Sequence, residues 1–380
     1  MAYVGTYGGP GLSRQPGLRR CFEVDRRDLG VTRVVETETG PPGDGEVLFQ
    51  VERFGLSANN VTYAVLGDAL RYWDLFPADP GWGRIPVWGY LRVRSSRVPG
   101  IEAGRRAFGL CPMATQVVLR PERHGRATFT EGSPHRSGLA SVYNVYSWAD
   151  TATPGMDDAL VVLRPVFWLS FTLDDYLSRQ APDVRTVIVT SASSKAAIGL
   201  AHLLTRRGVT VIGFTSASHQ PFVDGLCLYD QVLPYDRLEA LPAFGAVLVD
   251  LAGNAAWRDR IDRHQPGGLA QTVVAGHTNP DAQRTGQPAV TFFAPDLIRA
   301  RAQQWGWPAL EHPFQAALGS FVHDAASWLK VVRHAGFDTV DDVYQAVLNN
   351  AVSSPAEAHL INLTGPRLTH NDVVQADKMA

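Results

Sequence analysis

The chain has 380 residues, of which 45% are hydrophobic and 19% are charged, a balance that excludes a disordered or fibrous protein and suits two domains. Its 35 Lys and Arg side chains nearly balance its 37 Asp and Glu side chains, so we expect no nucleic-acid-binding and no membrane-binding surface. The three cysteines, Cys21, Cys111 and Cys227, are far apart and predict neither a zinc knuckle nor a disulfide framework, as is typical of a reducing cytoplasm.

The first half of the chain predicts a β-rich domain. Residues 1–20 are rich in Gly and Arg and predict a flexible tail. Short β-like runs follow, separated by turns rich in Pro and Gly. The runs are GEVLFQVERFGLS (45–57), PVWGYLRVRSS (86–96) and TQVVLRP (115–121). Strands of this length between such turns predict a partly open β barrel.

Beyond residue 155 the pattern changes to apolar strands that alternate with helices. RTVIVTSASS (185–194) predicts a buried strand, and KAAIGLAHLLTRRG (195–208) predicts an amphipathic helix that ends at Gly208. Further strands are predicted at 209–216, 246–253 and 271–278, and helices after 295. Such a pattern predicts a doubly wound α/β domain with a parallel sheet, and the unit from 185 to 216 has the size of one nucleotide-binding half.

The turn TSASSKAAIG (190–199) is a candidate phosphate loop, because it joins a strand to a helix N-terminus. Ser193, Ser194 and Lys195 would supply hydroxyl groups and a positive charge. Gly199 is the one glycine of the usual three, and it would let the helix pack closely on the sheet. The sequence leaves two alternatives open: a dinucleotide site, or a strand–helix turn without a ligand.

The ends of the next strands bear on the choice of dinucleotide. An Asp or Glu that would bind a free ribose 2′-hydroxyl is absent at Thr215 and Ser216. Small hydroxyl residues with Lys195 or His219 nearby favour NADP over NAD. Asp250 ends another strand, where it either faces a ligand or caps a helix.

Three segments resemble the zinc-free quinone and enoyl reductase branch of the medium-chain dehydrogenase/reductase superfamily. They are SANNVTYAVLGDALRYWDLFP (57–77), IPVWGYLRV (85–93) and GIEAGRRAFG (100–109). NNVTYAVLGDALRYWDLFP, LRPVFWLSFTLDDYL and TSASSKAAIGLA also resemble the subfamily DUF2855. The resemblance implies a GroES-like catalytic domain (21–154 and 296–380) around an NADP-binding Rossmann domain (155–295). Zinc-dependent relatives have Gly-His-Glu where this chain has Trp88-Gly89-Tyr90, so we expect no metal.

The same resemblance supplies candidate catalytic residues. Tyr72 falls near the tyrosine proposed as the proton donor of enoyl reductases, although it could instead belong to an apolar wall. Asn60 and Tyr63 are three residues apart, so on a helical turn both would face one way, towards a carbonyl or an amide; alternatively, Asn60 caps a turn. His277 follows the fourth strand and is a candidate acid or base, or a plain loop histidine.

These observations favour an NADP(H)-dependent, zinc-free reductase of an activated double bond that acts on a small apolar substrate, and they leave open whether it forms a homodimer. Two rival hypotheses keep the fold: a lyase, isomerase or cyclase that has lost redox use of the dinucleotide, and a non-catalytic small-molecule binder.

Arg164 lies within an apolar run, so it needs a partner, either Asp174 or Asp175 or an anionic ligand.

Overall fold

The structure, a computed structural model, describes residues 18–150, 155–241, 245–264, 269–275, 289–351 and 354–364. In chain order its strands are β1 (Leu18–Asp25), β2 (Thr32–Glu38), β3 (Val47–Leu56), β4 (Trp82–Gly83), β5 (Pro86–Ser96), β6 (Arg106–Pro112), β7 (Gln116–Leu119), β8 (Pro121–His124), β9 (Thr128–Glu131), β10 (Val145–Trp148), β11 (Thr186–Val189), β12 (Thr210–Thr215), β13 (Gln231–Pro234), β14 (Ala246–Asp250), β15 (Leu269–Val274), β16 (Val290–Thr291), β17 (Lys330–Ala335) and β18 (Glu357–Asn362). Its helices are α1 (Ala58–Val65), α2 (Met156–Gln180), α3 (Lys195–Arg206), α4 (Gln220–Gly225), α5 (Ala255–His264), α6 (Ala294–Trp305), α7 (Trp307–Ala325) and α8 (Val340–Leu348).

The predicted β domain is built on a mainly antiparallel sheet with the order β17-β18-β3-β5-β6-β10-β9-β8, in which β7 also pairs with β3. Its central strand β3 buries Val47, Phe49 and Val51 completely, as alternation along a strand requires. A small sheet, β2-β1-β4, joins this domain. The three predicted strand segments became β3, β5 and β7.

The predicted parallel sheet is confirmed, with the order β13-β12-β11-β14-β15-β16. The strand order reverses between β11 and β14, and ligands of doubly wound sheets bind beside such a point. Helix α3 lies between β11 and β12 in the chain, as predicted. It begins with Ser194, whose side chain accepts a hydrogen bond from the Ala197 amide (3.2 Å), and the chain leaves it through Gly208 at φ +71°.

The C-terminal part departs from the prediction that the chain is helical after residue 295. Residues 330–335 and 357–362 instead form the parallel strands β17 and β18, and β18 pairs with β3. The helix that precedes them ends at Ala325. The prediction of helices after 295 takes the segment KVVRHA (330–335) as a continuation of that helix. Pairing with β18, which lies 27 residues further along the chain at Glu357 opposite Lys330, decides its conformation, and no local pattern reports such a pairing.

Helix α2 joins the two domains, and it corrects one predicted contact. Arg164 on this helix binds Glu311 of α7 (2.8 Å) and the Ser147 hydroxyl (3.2 Å). Asp174 and Asp175 were the expected partners, but they lie on the same helix ten and eleven residues later. At about 1.5 Å per residue they are roughly 15 Å away along the axis. The ion pair was predicted correctly, whereas its partner comes from tertiary packing.

Within the described part of the chain, no helix is both long and apolar enough to cross a membrane.

Candidate active site

An apolar cavity of about 130 Å³ lies between the two domains. The barrel domain contributes the walls around α1, Trp88 and Tyr143. The other domain contributes α2, the start of α6 and Ala275, the residue that follows β15. The cavity therefore opens at the carboxyl edge of the parallel sheet. Its lining includes Asn59, Thr62, Tyr63, Leu66, Leu70, Tyr72, Trp88, Val142, Tyr143, Pro165, Trp168, Leu169, Ala275, Phe292, Phe293, Ala294, Pro295 and Ile298.

Two tyrosines of this cavity share a hydrogen bond. The hydroxyl groups of Tyr72 and Tyr143 are 2.9 Å apart, and the ring of Tyr63 lies 4.8 Å from that of Tyr72. Burial raises the pKa of Tyr72, and the nearby Tyr63 phenol raises it further. Burial also raises the pKa of Tyr63 and of Tyr143. All three phenols are therefore protonated near neutral pH, so they can donate a hydrogen bond or a proton and cannot act as bases.

Helix α1 carries the other two predicted residues of this segment on its buried face. Tyr63 accepts a hydrogen bond from the Trp88 indole (3.3 Å) and lines the cavity. Asn60 is 3% exposed, accepts a bond from the Ser57 amide (2.8 Å) and donates one to the Pro86 carbonyl (3.1 Å). Its side chain thus begins the helix and ties it to β5. A role for Asn60 in ligand binding would require that these bonds be broken, and it stays a prediction.

The segment Trp88-Gly89-Tyr90 lies on β5 and carries structural contacts. The Tyr90 hydroxyl donates to Asp157 (3.3 Å), while Trp88 faces the cavity. A Cβ on Gly89 would lie 2.4 Å from the Arg53 carbonyl oxygen, so only glycine fits between β5 and β3. Among the described residues, no group of three or more His, Cys, Asp or Glu side chains could hold a metal ion.

The candidate phosphate loop lies at the point where the strand order of the parallel sheet reverses. Its backbone is held from both sides: the Ser191 amide donates to the Tyr235 hydroxyl (2.8 Å), and the Tyr229 hydroxyl donates to the Ala192 carbonyl (2.8 Å). The Ser193 hydroxyl is 3.1 Å from His219 Nδ1. The first-turn amides of α3 have no acceptor within the helix. These groups present hydroxyls and N–H donors at one helix N-terminus.

Lys195 points away from this loop. Its ammonium group donates to the carbonyl oxygens of Pro355 (3.0 Å) and Glu357 (2.7 Å), and so connects α3 to the start of β18. Burial lowers its pKa to about 8, against the opposing effect of the Glu357 carboxylate. Two of its three N–H donors are therefore engaged by the other domain. The predicted contact of Lys195 with a phosphate would require that this bridge open.

Gly199 allows a close approach, but to a different element than expected. A Cβ at this position would lie 2.7 Å from Ser170 Oγ and 3.1 Å from the ring of Phe167. Both residues belong to α2, so the glycine brings α3 against that helix and not against the sheet. Ser170 Oγ also donates to the Ala196 carbonyl (2.7 Å), which fixes the first turn of α3.

The end of β12 presents hydroxyl groups, as predicted from Thr215 and Ser216. Thr215 is 1% exposed, and its hydroxyl has no hydrogen-bond partner among the described residues. The Ser216 hydroxyl lies 3.1 Å from that of Ser218. An unpartnered buried hydroxyl is costly, and this one lies where a ribose would meet the sheet.

Asp250 has a structural role that neither predicted alternative describes. One oxygen accepts bonds from the Thr190 hydroxyl (2.7 Å) and from the Ala252 and Gly253 amides (3.0 Å each). The other binds Arg258 of α5 (2.7 Å) in a pair that is buried on both sides. The carboxylate thus fixes the turn after β14, before α5 begins, and it accepts bonds from four neighbours.

A family model described as "Protein of unknown function (DUF2855)" matches residues 54–353, which are 300 of the 380 residues. The chain belongs to this family. No curated protein matches the sequence of this DUF2855 protein.

Solved structures show the same fold at low sequence identity. A probable oxidoreductase from Mycobacterium abscessus shares 16% identity at a TM-score of 0.56, with 91% of this chain and 100% of that chain covered. CurA from Vibrio vulnificus in complex with NADPH shares 13% (TM-score 0.55; 91% and 100% covered). A quinone oxidoreductase from Pseudomonas syringae shares 16% (TM-score 0.57; 90% and 99% covered). These likenesses establish the fold of the DUF2855 protein: a GroES-like domain with a Rossmann domain.

The structure also bears on residues that the sequence did not single out. Tyr143, Trp168 and Phe293 line the cavity, yet each lies in an aromatic-rich stretch where the local pattern also fits core packing. His277 lies outside the described residues, as does Asn279; Ala275, two residues before His277, lines the cavity. A catalytic role for His277 in this DUF2855 protein stays a prediction.

Proposed function

We propose that this protein is an NADP(H)-dependent reductase of an activated carbon–carbon double bond, such as an enone, an enoyl thioester or a quinone. The observation that carries the proposal is the hydrogen-bonded pair of protonated phenols, Tyr72 and Tyr143, in an apolar cavity at the carboxyl edge of the parallel sheet. Ligands of doubly wound sheets bind at this edge. The likeness to a CurA structure with NADPH and to a quinone oxidoreductase supports the same reading.

The residues beside the cavity fit a dinucleotide. The N-terminus of α3 offers backbone N–H donors, and Ser193 adds a hydroxyl, which together suit a diphosphate. The buried, unpartnered hydroxyl of Thr215 would gain a partner from a ribose. Ser216 and His219, with no carboxylate on the last residues of β12, suit a 2′-phosphate better than a free 2′-hydroxyl.

A bound reduced nicotinamide would supply the hydride, and the chain would supply the proton and an apolar environment. Tyr72 would donate its hydroxyl proton to the substrate carbon next to the carbonyl, or to the carbonyl oxygen. The phenolate so formed on Tyr72 would accept a hydrogen bond from the Tyr143 hydroxyl, 2.9 Å away, and would regain its proton from solvent through the open side of the cavity. Trp168, Phe292 and Ile298 form apolar walls of the cavity, and an apolar environment strengthens hydrogen bonds from the phenols to a substrate.

The cavity limits the substrate. Its volume of about 130 Å³ is close to that of an engineered apolar cavity that holds benzene, ~150 Å³. We therefore propose a small, flat, apolar acceptor, or the reactive end of a longer one. Association into a homodimer stays a prediction.

One observation favours a second candidate, a lyase or isomerase without redox use of a dinucleotide. The loop that would cradle the diphosphate is already bonded to Tyr229 and Tyr235, and Lys195 binds the other domain. The same phenols would then serve as general acids for a substrate that needs no hydride.

The deciding experiment is binding of NADPH to the purified protein by calorimetry and thermal shift, with NADH as the comparison. At one hundred times its dissociation constant, NADPH should stabilise the fold by about 2.7 kcal/mol. Absence of binding by either nucleotide would refute the reductase, and turnover without a nucleotide would support the second candidate.

Three variants locate the site. Ser193→Asp places a carboxylate at the helix N-terminus, where it suits the fold but repels a diphosphate, so NADPH binding should fall at least tenfold. Ser216→Asp should shift the preference from NADPH towards NADH, because a carboxylate accepts a bond from a free 2′-hydroxyl. Ser327→Asp makes the same change on an exposed turn after α7 and should leave both affinities unchanged. Unchanged NADPH binding in Ser193→Asp would show that the phosphate loop is wrongly placed.

A further inference from the structure

A second cavity of about 140 Å³ lies at the surface of the barrel domain, is partly open to solvent and shares no lining residue with the cleft. Its walls come from β1, the segment after Tyr72, β7 and the chain between β9 and Tyr143. The apolar part is formed by Leu75, Phe76 and Val117. The reductase proposed above makes no use of this space. The positive and negative charges of the side chains around it do not cancel.

Arg136 is a buried cation in this lining without an anionic partner among the residues that the structure describes. It is 2% exposed. Its Nε donates to the Leu75 carbonyl (3.0 Å), its Nη1 to the Tyr146 hydroxyl (3.2 Å), and its guanidinium lies 4.5 Å from the centre of the Phe76 ring. No carboxylate of the described residues is within ion-pair distance, and Nη2 has no hydrogen bond to any of them. A buried charge in this position requires compensation.

The other charged side chains of the lining do not supply that compensation. Arg84 is neutralised by Glu23 (2.7 Å). Arg19 binds only the Thr37 hydroxyl (3.1 Å) and has no carboxylate partner among the described residues. Glu131 is 3% exposed, and its two oxygens accept the Arg120 and Ser133 amides (2.5 and 2.9 Å). Apart from His135, whose side chain is exposed, two cations without a described partner and one carboxylate leave one positive charge in the cavity wall.

A second, independent group in the lining also lacks a partner. The side-chain oxygen of Gln116 is buried and accepts no hydrogen bond from the described residues. A ligand that satisfied both groups would carry one negative charge for Arg136 and a hydroxyl donor for Gln116. The volume leaves room for about six non-hydrogen atoms, because a cavity of ~150 Å³ holds one benzene ring.

We propose that this cavity is a binding site for a small hydroxycarboxylate, a monoanion of the size of lactate. The carboxylate binds the guanidinium of Arg136 and is supported by Arg19, the hydroxyl donates to Gln116, and the carbon skeleton packs on Leu75 and Val117. One charge on the ligand cancels the one excess charge of the wall, which favours a carboxylate over the doubly charged phosphate.

The test is calorimetric titration of the full chain at low ionic strength with lactate, propionate, lactamide and inorganic phosphate. Lactate should bind with a dissociation constant of about 1 mM or tighter, which about six atoms can support. Propionate lacks the hydroxyl and lactamide lacks the charge, so each should bind at least about fivefold more weakly. Equal binding of lactate and propionate, tighter binding of phosphate, or no binding of lactate would each overturn the proposal.

Variants place the ligand in the cavity. Arg136→Gln should weaken lactate binding about 10- to 100-fold, the range for a hydrogen bond to a charged group. Because Arg136 is buried, that variant could fail to fold, and Arg19→Gln and Gln116→Met provide the second test; both side chains are half-buried. Each of these two variants should lower the affinity for lactate at least threefold. Arg97→Gln, which changes an exposed residue on a turn, should leave that affinity unchanged. Lactate affinity that is unchanged in Arg19→Gln and Gln116→Met would refute the site.

Discussion

Lys195, which is buried against the start of β18, leads to a prediction about the pKa of a single side chain. The chain has only three lysines, Lys195, Lys330 and Lys378. Burial lowers the pKa of Lys195 from its ordinary value of 10.5 to about 8. Lys330 binds the same Glu357 through its side-chain carboxylate (3.3 Å), but its own side chain is 71% exposed. The two residues thus form a matched pair, one buried and one in solvent.

The lowered pKa translates into a dependence of stability on pH. The difference of about 2.5 between 10.5 and 8 corresponds to roughly 3 kcal/mol at ~1.4 kcal/mol per pKa unit. Below pH 8 the folded and the unfolded chain both hold the proton, so the cost of burying the charge is fully present. Between pH 8 and 10.5 only the unfolded chain holds it, so the free energy of unfolding rises with pH by up to ~1.4 kcal/mol per pH unit. Above pH 10.5 the cost is gone.

The assay is NMR of protein labelled with ¹³C at the lysine ε-carbon, titrated from pH 6.5 to 10.5. One of three signals should titrate near pH 8, and it should be absent from Lys195→Met and present in Lys330→Met. Urea unfolding at pH 8 and pH 9.5 should show the parent gaining roughly 1–2 kcal/mol more than Lys195→Met over this interval. Titration of all three signals near pH 10.5, or parallel stability curves for parent and Lys195→Met, would refute the buried bridge.

Three further predictions concern the cleft and its support. Tyr72→Phe should lower kcat for an enone or quinone substrate by about 10²- to 10⁴-fold and leave NADPH affinity unchanged; an equal loss in Tyr229→Phe, whose hydroxyl lies under the loop, would contradict a special role. Asp250→Ala removes a buried carboxylate that accepts hydrogen bonds from Arg258, Thr190 and two backbone amides, so it should lower the free energy of unfolding by about 3–5 kcal/mol, measured by urea denaturation; a loss below about 1 kcal/mol would show that the pair is not buried in solution. Gly199→Ala should cost about 1–3 kcal/mol by overpacking against α2 in the same assay, and an unchanged midpoint would show that the two helices separate easily.

The sequence located the candidate loop because a strand, a turn of small residues and an amphipathic helix are local patterns. It also selected Tyr63 and Tyr72, which line the cleft, because they share a segment that resembles reductases and the DUF2855 subfamily. The same pattern did not show what Lys195 binds. Its partners are carbonyls 160 and 162 residues further along the chain, and backbone oxygens carry no signature in a sequence.

Asp250 and Arg164 illustrate the same limit. The sequence shows that Arg164, a charged group in an apolar run, requires a partner, which is a statement about solvation, and it leaves Asp250 either facing a ligand or capping a helix. Which partner each residue obtains depends on how α5 packs beside β14 and how α7 packs beside α2. Asp174 and Asp175 were wrong as partners of Arg164, because the rise of the helix places them too far along its axis to reach it.

The sequence by itself indicated a β-rich half, the parallel strands β11, β12, β14 and β15, and the helix that begins at the candidate phosphate loop. These follow from hydrophobic periodicity and turn chemistry, which act between near neighbours. Tertiary structure alone decided that β17 and β18 complete the barrel sheet, that Tyr143 meets Tyr72, and that no described carboxylate lies beside Arg136. Each of these depends on groups far apart in the chain, and packing in three dimensions sets their distances.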